Sequence, residues 1–306
     1  MSSAVLPTNL INSFDCRQGA VRAVRFNVNG NYCLSCGSDK SVKLWNPFKG
    51  TLLKTYTGAG SDVLDASSSP DNSIIASGGY DKVLTLHDVE TGKIQRRVRG
   101  HGAYINAVLF NEEGIAVLSG SNDGTVRIYD IRQRNMEPVQ VLDEATDGIL
   151  CLDVSDHEVA TGSADARIYD LRTGKIFIDY MGDSVTSVKL TNDRQCLITS
   201  TMGGHIRMIE KANGQLLTEY TGHQHKEYKL DCAILSSDCE IASASEDGFI
   251  YIYDVVESTI LCRLGEDLKP RPRHIGTLTT HPTRPCIVAA SQSKMYVWDS
   301  VSHEDL

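Results

Sequence analysis

Short runs of alternating apolar and polar residues recur along the whole chain, and no long amphipathic helical pattern competes with them. Val42 and Leu44 flank Lys43, and Val126 and Ile128 flank Arg127, so each run carries one apolar face, as a half-buried strand does. A stretch of small residues and a tight turn precede each run: Asp39-Lys40, Asp81-Lys82 and Asp123-Gly124 are such turns, and they predict hairpins. Further upstream lies another strand-like stretch, such as AVRAVRF, YINAVLF or VTSVKL. Downstream comes one more, such as TLLKTY, KIQRRV or QLLTEY. The pattern therefore predicts four short antiparallel strands per unit.

The unit repeats. Seven runs end in an apolar or aromatic residue, or in one case a histidine, followed by a polar one: Trp45-Asn46, His87-Asp88, Tyr129-Asp130, Tyr169-Asp170, Ile209-Glu210, Tyr253-Asp254 and Trp298-Asp299. Their spacings are 42, 42, 40, 40, 44 and 45 residues. This matches the period of WD40 repeats, each of which forms one blade of a β-propeller. A four-stranded blade cannot bury both faces by itself, whereas a ring of blades buries each against a neighbour. The expectation is an all-β fold: one seven-bladed WD40 propeller spanning residues 1–306, not divided into domains. The last run ends near Trp298, so the seventh blade lacks an outer strand at its C-terminal end. Leu10-Ile11-Asn12-Ser13-Phe14 resembles the other outer strands and is expected to complete that blade and close the ring.

Three repeats depart in length. Repeat 4 has lost two residues between Asp165 and Tyr169, relative to Asp123 through Tyr129 in repeat 3. A two-residue loss keeps every side chain on its own face, so the blade is expected to survive with a clipped hairpin. Repeats 6 and 7 carry longer loops, at 222–228 and 265–274.

Composition narrows the function. The chain has 30 Lys+Arg against 39 Asp+Glu, a net charge of −9, which argues against duplex nucleic-acid binding through bulk charge. The first ten residues have neither a basic start nor a long apolar run, and no stretch reaches the roughly 20 apolar residues of a membrane helix, so neither a secretory signal nor a membrane partner is expected. Nine cysteines and no Asn-x-Ser/Thr sequon fit a reducing compartment.

Several constellations invite chemistry and are better read as structure. His101, Ser119 and Asp123, and again His223, Ser243 and Asp247, resemble a catalytic trio. Their recurrence at the repeat spacing instead points to paired buried polar groups that brace the turn. Repeats 1, 2, 4, 5 and 7 lack the Gly-His and are expected to have less braced turns. Cys33 and Cys36 look like half a zinc site, but residues three apart on a strand face opposite sides, so buried free thiols are expected and no metal or cofactor. Ser69-Pro70 reads as a turn before it reads as a phosphorylation site. Lys269-Pro-Arg-Pro-Arg273 reads as a solvated basic loop, with an acidic partner segment as its functional alternative. No constellation of acids, bases or nucleophiles rises above the repeat, so no enzymatic activity is expected.

Beyond the repeat marks, the stretches GAVRAVRFNVNGNYCL, CGSDKSVKLWNP, PVQVLDEATDG and KEYKLDC resemble the mitogen-activated protein kinase organizer family, and the resemblance runs from Gly19 to Trp298. It implies a non-enzymatic scaffold. The implied assemblies are extracellular-signal-regulated kinase modules and the spliceosome, in both cytoplasm and nucleus. The implied form is a monomeric propeller within larger complexes, with kinase-module or spliceosomal proteins as partners. A substrate receptor of a ubiquitin ligase is the alternative. WD40 proteins favour partner contacts beside the first apolar residue of each inner strand and before each turn aspartate. Carried onto this chain, these positions include Arg22, Leu64, Tyr80, Tyr104, Asn106, Met202 and Lys229. Leu64, Tyr80 and Tyr104, with Arg22 beside them, form the preferred patch.

Overall fold

The computed structural model describes residues 5–135 and 137–301. These form seven four-stranded antiparallel sheets arranged as the blades of a propeller, with no helix among the described residues. Blade 1 consists of Val21–Phe26, Cys33–Gly37, Ser41–Asn46 and Thr51–Thr57. Blade 2 consists of Val63–Ser68, Ile74–Gly79, Val83–Asp88 and Ile94–Arg99. Blades 3, 4, 5 and 6 begin at Ile105, Cys151, Val185 and Cys232 and repeat this order from the inside outwards. Blade 7 takes Thr277–Thr280, Cys286–Ser291 and Lys294–Asp299 from the C-terminal end, and its outer strand, Asn9–Asp15, from the N-terminal end.

Leu10 pairs with Trp298, Ser13 with Tyr296 and Asp15 with Lys294, with a register shift between Leu10 and Asn12. The strand also reaches forward into blade 1. Asn12 Nδ2 donates to the carbonyls of Pro47 and Phe48, both at 3.2 Å, and the Phe14 ring lies 5.0 Å from Trp45. Closure thus rests on strand hydrogen bonds and packing, because N-terminal and C-terminal strands share one sheet.

Burial follows position in the blade. The second strands are buried along their length, as in Cys196–Thr201 and Cys286–Ser291, because both faces meet a neighbouring blade. The outer strands alternate or are exposed. The apolar side chains form seven clusters, one at each blade–blade interface. Cys33 belongs to the cluster between blades 7 and 1, and Cys36 to that between blades 1 and 2, so the two sulfurs lie on opposite faces of one strand. Burial raises both thiols above their ordinary range.

Blade 4 keeps its register despite its shorter repeat. Val159 pairs with Tyr169 as Val117 pairs with Tyr129. Gly162 and Ala166 close a turn of three residues where Gly120 and Val126 close one of five. The loss therefore falls on the turn, and each side chain keeps its face.

The inner strands are joined across blade boundaries by side chains. Asp65 accepts from Val108 N at 3.0 Å, Asp153 from Leu190 N at 2.8 Å, Ser187 from Cys232 N at 3.2 Å and Thr277 from Val24 N at 3.1 Å. Arg25 of blade 1 reaches both Asp65 of blade 2, at 3.2 Å, and Asp231 of blade 6, at 3.3 Å. The strand sequences gave no warning of these ties, because each is a lone polar residue whose partner lies on another blade.

Candidate functional site: the loop face of blades 1 to 3

The turns between second and third strands and the loops leading into each inner strand all emerge at one end of the ring. Their bracing is built from buried polar groups. In blade 3, His101 Nδ1 donates to Asp123 at 2.9 Å, and His101 Nε2 accepts from the Ser119 hydroxyl at 2.8 Å. Asp123 also accepts from Gly102 N and Thr125. Burial opposes the charge on Asp123, but the bonds from Thr125, His101 and Gly102 outweigh it and hold the carboxyl below its usual range. Burial pushes His101 down more strongly than Asp123 pushes it up, so the ring is a neutral link and not a charged one.

The second trio does not close. His223 Nδ1 meets the Tyr253 hydroxyl at 3.1 Å, and its Nε2 has no partner among the described residues. Ser243 donates to the carbonyl of Ala244, and Asp247 accepts from the Tyr251 hydroxyl at 2.7 Å. The cause is one side chain. Tyr251 stands opposite Ser243 where Arg127 stands opposite Ser119, and its hydroxyl takes the aspartate that the histidine would otherwise hold.

Blade 1, expected to be weakly braced, has the set in another form. Gln18 Nε2 donates to Asp39 at 3.3 Å, Ser35 donates to Gln18 Oε1, and Trp45 Nε1 donates to Ser35 at 2.8 Å. An amide carries a donor and an acceptor at its two ends, as a neutral imidazole does. The signal was present in the sequence, since Gln18-Gly19-Ala20 parallels His101-Gly102-Ala103.

On this frame sit the candidate contact residues. Tyr80 is 45% exposed and Tyr104 is half-buried, and their rings meet edge to face at 5.2 Å. Tyr80 is fixed by its amide, which donates to Asp62 O, and Tyr104 by its carbonyl, which accepts from Asn122 N. Arg22 is exposed and pairs with Asp62 at 3.3 Å, and Leu64 is half-buried. These four residues come from the loops and inner strands of blades 1, 2 and 3.

The other three fall elsewhere. Asn106, placed among the contact residues by its position, is buried, and its amide donates to Ile149 O at 2.8 Å, so it joins blades 3 and 4 and presents nothing to solvent. Met202 is half-buried on the turn of blade 5. Lys229 is exposed and donates to Leu150 O at 2.6 Å.

The two longer loops form a separate structure. Glu246 accepts from the amides of Lys226, Glu227 and Tyr228 at 2.6 to 2.9 Å, and Tyr228 stacks on His274 at 4.5 Å. Arg271 of the basic loop lies over the Phe249 ring at 4.3 Å, while Lys269 and Arg273 are exposed. The loop passes so close to the blade 6 turn that a Cβ at Gly248 would sit 2.1 Å from Pro272 O. Ser69 is buried and accepts from Ile74 N at 3.0 Å, so its hydroxyl closes the turn that contains Pro70.

At the opposite end of the ring a cavity of about 460 Å³ is lined by Arg25, Asp153, Lys189, Arg194 and His281, among others. Its charges are committed to one another: Lys189 to Asp153 at 2.9 Å and Arg194 to Glu112 at 3.1 Å. Among the described residues, no group of three or more His, Cys, Asp or Glu could hold a metal ion.

The family description "WD domain, G-beta repeat" matches residues 8–46, 50–88, 92–130 and 214–254. The chain is 47% identical over 303 residues to WD repeat domain-containing protein 83 of Rattus norvegicus, covering 98% of this chain and 94% of that one. It matches the Homo sapiens protein of the same name at the same identity and coverage. The WD repeat domain-containing protein 83 homolog of Dictyostelium discoideum is 30% identical over 313 residues, covering 92% of this chain and 95% of that one. With the seven interlocked blades and the polar turn sets in place, these similarities make the chain a member of the WD40-repeat family, in the WD repeat domain-containing protein 83 group.

Proposed function

We propose that this propeller is a non-catalytic scaffold that captures partner proteins on the loop face of blades 1 to 3. A WD40 propeller is a protein-interaction fold, and its rigid frame with variable loops is an architecture for binding. The observation that carries the reading is the Tyr80–Tyr104 pair, two large amphipathic rings in edge-to-face contact, Tyr80 exposed and Tyr104 half-buried, with Arg22 tied through Asp62 to the loop that holds Tyr80. Tyrosine and arginine dominate binding hot spots because they bury much area and lose little side-chain entropy. Resemblance to the mitogen-activated protein kinase organizer family supports kinase-cascade modules and pre-mRNA splicing complexes as the assemblies served, and with them a presence in cytoplasm and nucleus.

The test is affinity purification from nuclear and cytoplasmic extracts with the native chain and with the double variant Tyr80→Ala, Tyr104→Ala. Kinase-module or ribonucleoprotein components should be retained by the first and lost, by about tenfold or more, from the second. Tyr80 is exposed, Tyr104 is half-buried, and neither belongs to the apolar clusters on either side of blade 2, so the propeller should stay folded. Equal recovery by the two proteins would refute the assignment.

A further inference from the structure

A groove of about 440 Å³ crosses the outer end of blade 2 on the same loop face, lined by Gly58, Gly60, Lys82, Arg97, Arg99 and His101 among others. Arg97 and Arg99 are both exposed and stand two apart on the outer strand Ile94–Arg99, so they project from one face of it. With Lys82 they make three cations that no carboxylate holds directly. Arg97 donates to Gly58 O at 2.6 Å and Lys82 to Gly102 O at 2.7 Å, both neutral acceptors. Among the described residues, none of the three cations takes part in an ion pair. The carboxylate lining the groove, Asp81, accepts from the amides of Gly60 at 2.7 Å and Val83 at 3.1 Å and pairs with no cation, so the lining sets three cations against one anion. Other exposed arginines divide between those with a carboxylate partner, such as Arg22, Arg132 and Arg194, and those without one, such as Arg17 and Arg172; what sets this groove apart is that it gathers three such cations in one place on a chain of net charge −9.

The groove is lined by the same turn and loop that carry the tyrosine pair. Tyr80 and Lys82 share one turn, and the carbonyl that holds Lys82 lies two residues before Tyr104. The strand Ile94–Arg99 pairs only with Val83–Asp88, which leaves its outer backbone edge open. An added strand would place alternate side chains about 7 Å apart, in step with Arg97 and Arg99. We propose that the groove receives an extended, aspartate- and glutamate-rich protein segment, with an apolar residue on Tyr80 and Tyr104 and acidic residues towards Lys82, Arg97 and Arg99. This inference rests on the reading of the tyrosine pair as a partner site. It assigns that site a chemical class of ligand and a direction.

The test is selection from a random-peptide display library on the full chain, on Arg97→Glu with Arg99→Glu, and on Tyr80→Ala with Tyr104→Ala. The native chain should enrich peptides with an apolar residue followed by alternating Asp or Glu. A selected peptide should bind the charge-reversed protein about tenfold or more weakly, and rising salt should weaken its binding to the native chain. Arg97→Lys with Arg99→Lys should retain acidic selection, and thermal midpoints check that every variant is folded. If the reversed pair misfolds, Lys82→Gln carries the same expectation at smaller size. Acidic enrichment that is absent, or that survives charge reversal, overturns the groove assignment while leaving the tyrosine reading in place. Loss of acidic selection on charge reversal, with an apolar preference unchanged by the tyrosine variant, overturns the tyrosine reading and leaves the groove standing. A single-stranded RNA oligonucleotide that binds through the same arginines, with no acidic peptide selected, overturns the protein-segment assignment.

Discussion

The N-terminal strand bears on the stability of the whole ring, and Ile11 is the side chain through which to measure it. Ile11 is 6% exposed and lies in the cluster formed by blades 7 and 1, with Cys286, Val297, Val24 and Trp45. Truncating a buried isoleucine to alanine costs about 2–5 kcal/mol, and a site on an outer strand can relax, so about 3 kcal/mol is expected for Ile11→Ala. Unfolding entropy is about 2 cal/mol/K per residue, so over 306 residues each kcal/mol moves the midpoint by about 1.5 °C, and the variant should melt about 4–5 °C lower. The control is Leu52→Ala, on the outer strand of blade 1 and 46% exposed, which should cost under about 1 kcal/mol. Deleting residues 1–15 should lower the midpoint further than Ile11→Ala, because it also removes the pairing with Lys294–Asp299 and the Asn12 bonds to blade 1. Urea denaturation followed by tryptophan fluorescence reports directly, since Trp45 and Trp298 both lie against the strand. The reasoning fails if Ile11→Ala costs no more than Leu52→Ala, or if the deletion matches the point variant.

Two further outcomes follow from the polar groups. His101→Ala strands the Ser119 hydroxyl and the Asp123 carboxylate and should cost about 2–3 kcal/mol, whereas His223→Ala loses a single bond to Tyr253 and should cost about 1 kcal/mol. Equal midpoints for the two variants in urea would contradict the difference between the blades. Burial, reinforced by His225 and Arg284 respectively, pushes His223 and His281 down to about 4, and burial also lowers His87, His101 and His225. Between pH 6.5 and 4 the unfolded chain therefore binds protons that folded His223 and His281 refuse, so stability falls as pH falls, by about 1 kcal/mol per pH unit for each of these two, and the other three act in the same direction. Urea midpoints at pH 7, 6 and 5 should decline steadily, and His281→Gln should flatten the decline. A midpoint that is level or rises towards pH 5 would overturn it.

Much of the architecture was legible in the chain. The 40–45-residue spacing, the period-2 strands and the turn residues are local quantities, and local quantities suffice for a ring in which each blade repeats its neighbour. The missing outer strand at the C-terminal end pointed to Leu10–Phe14, and a two-residue deletion in repeat 4 could only fall on a turn if the facing was to survive. The tyrosines of blades 2 and 3 could be placed on one face because each sits beside a recognisable turn or inner strand.

What the tertiary structure decided were relations between repeats. Whether a buried histidine closes its trio depends on the residue across the sheet, and Tyr251 in place of Arg127 diverts Asp247. Whether a polar residue is a contact or a fastener depends on the next blade: Asn106 reads like its neighbour Tyr104 in sequence, yet it is spent on Ile149 O. Arg25 ties three blades through two aspartates far from it in the chain. The open charges of Lys82, Arg97 and Arg99 are of the same kind. Composition reports an acidic protein, and only the placement of the charged side chains reveals a groove where cations outnumber carboxylates. Repetition makes strands and turns readable one unit at a time, whereas pairing between units requires the distances that closing the ring creates.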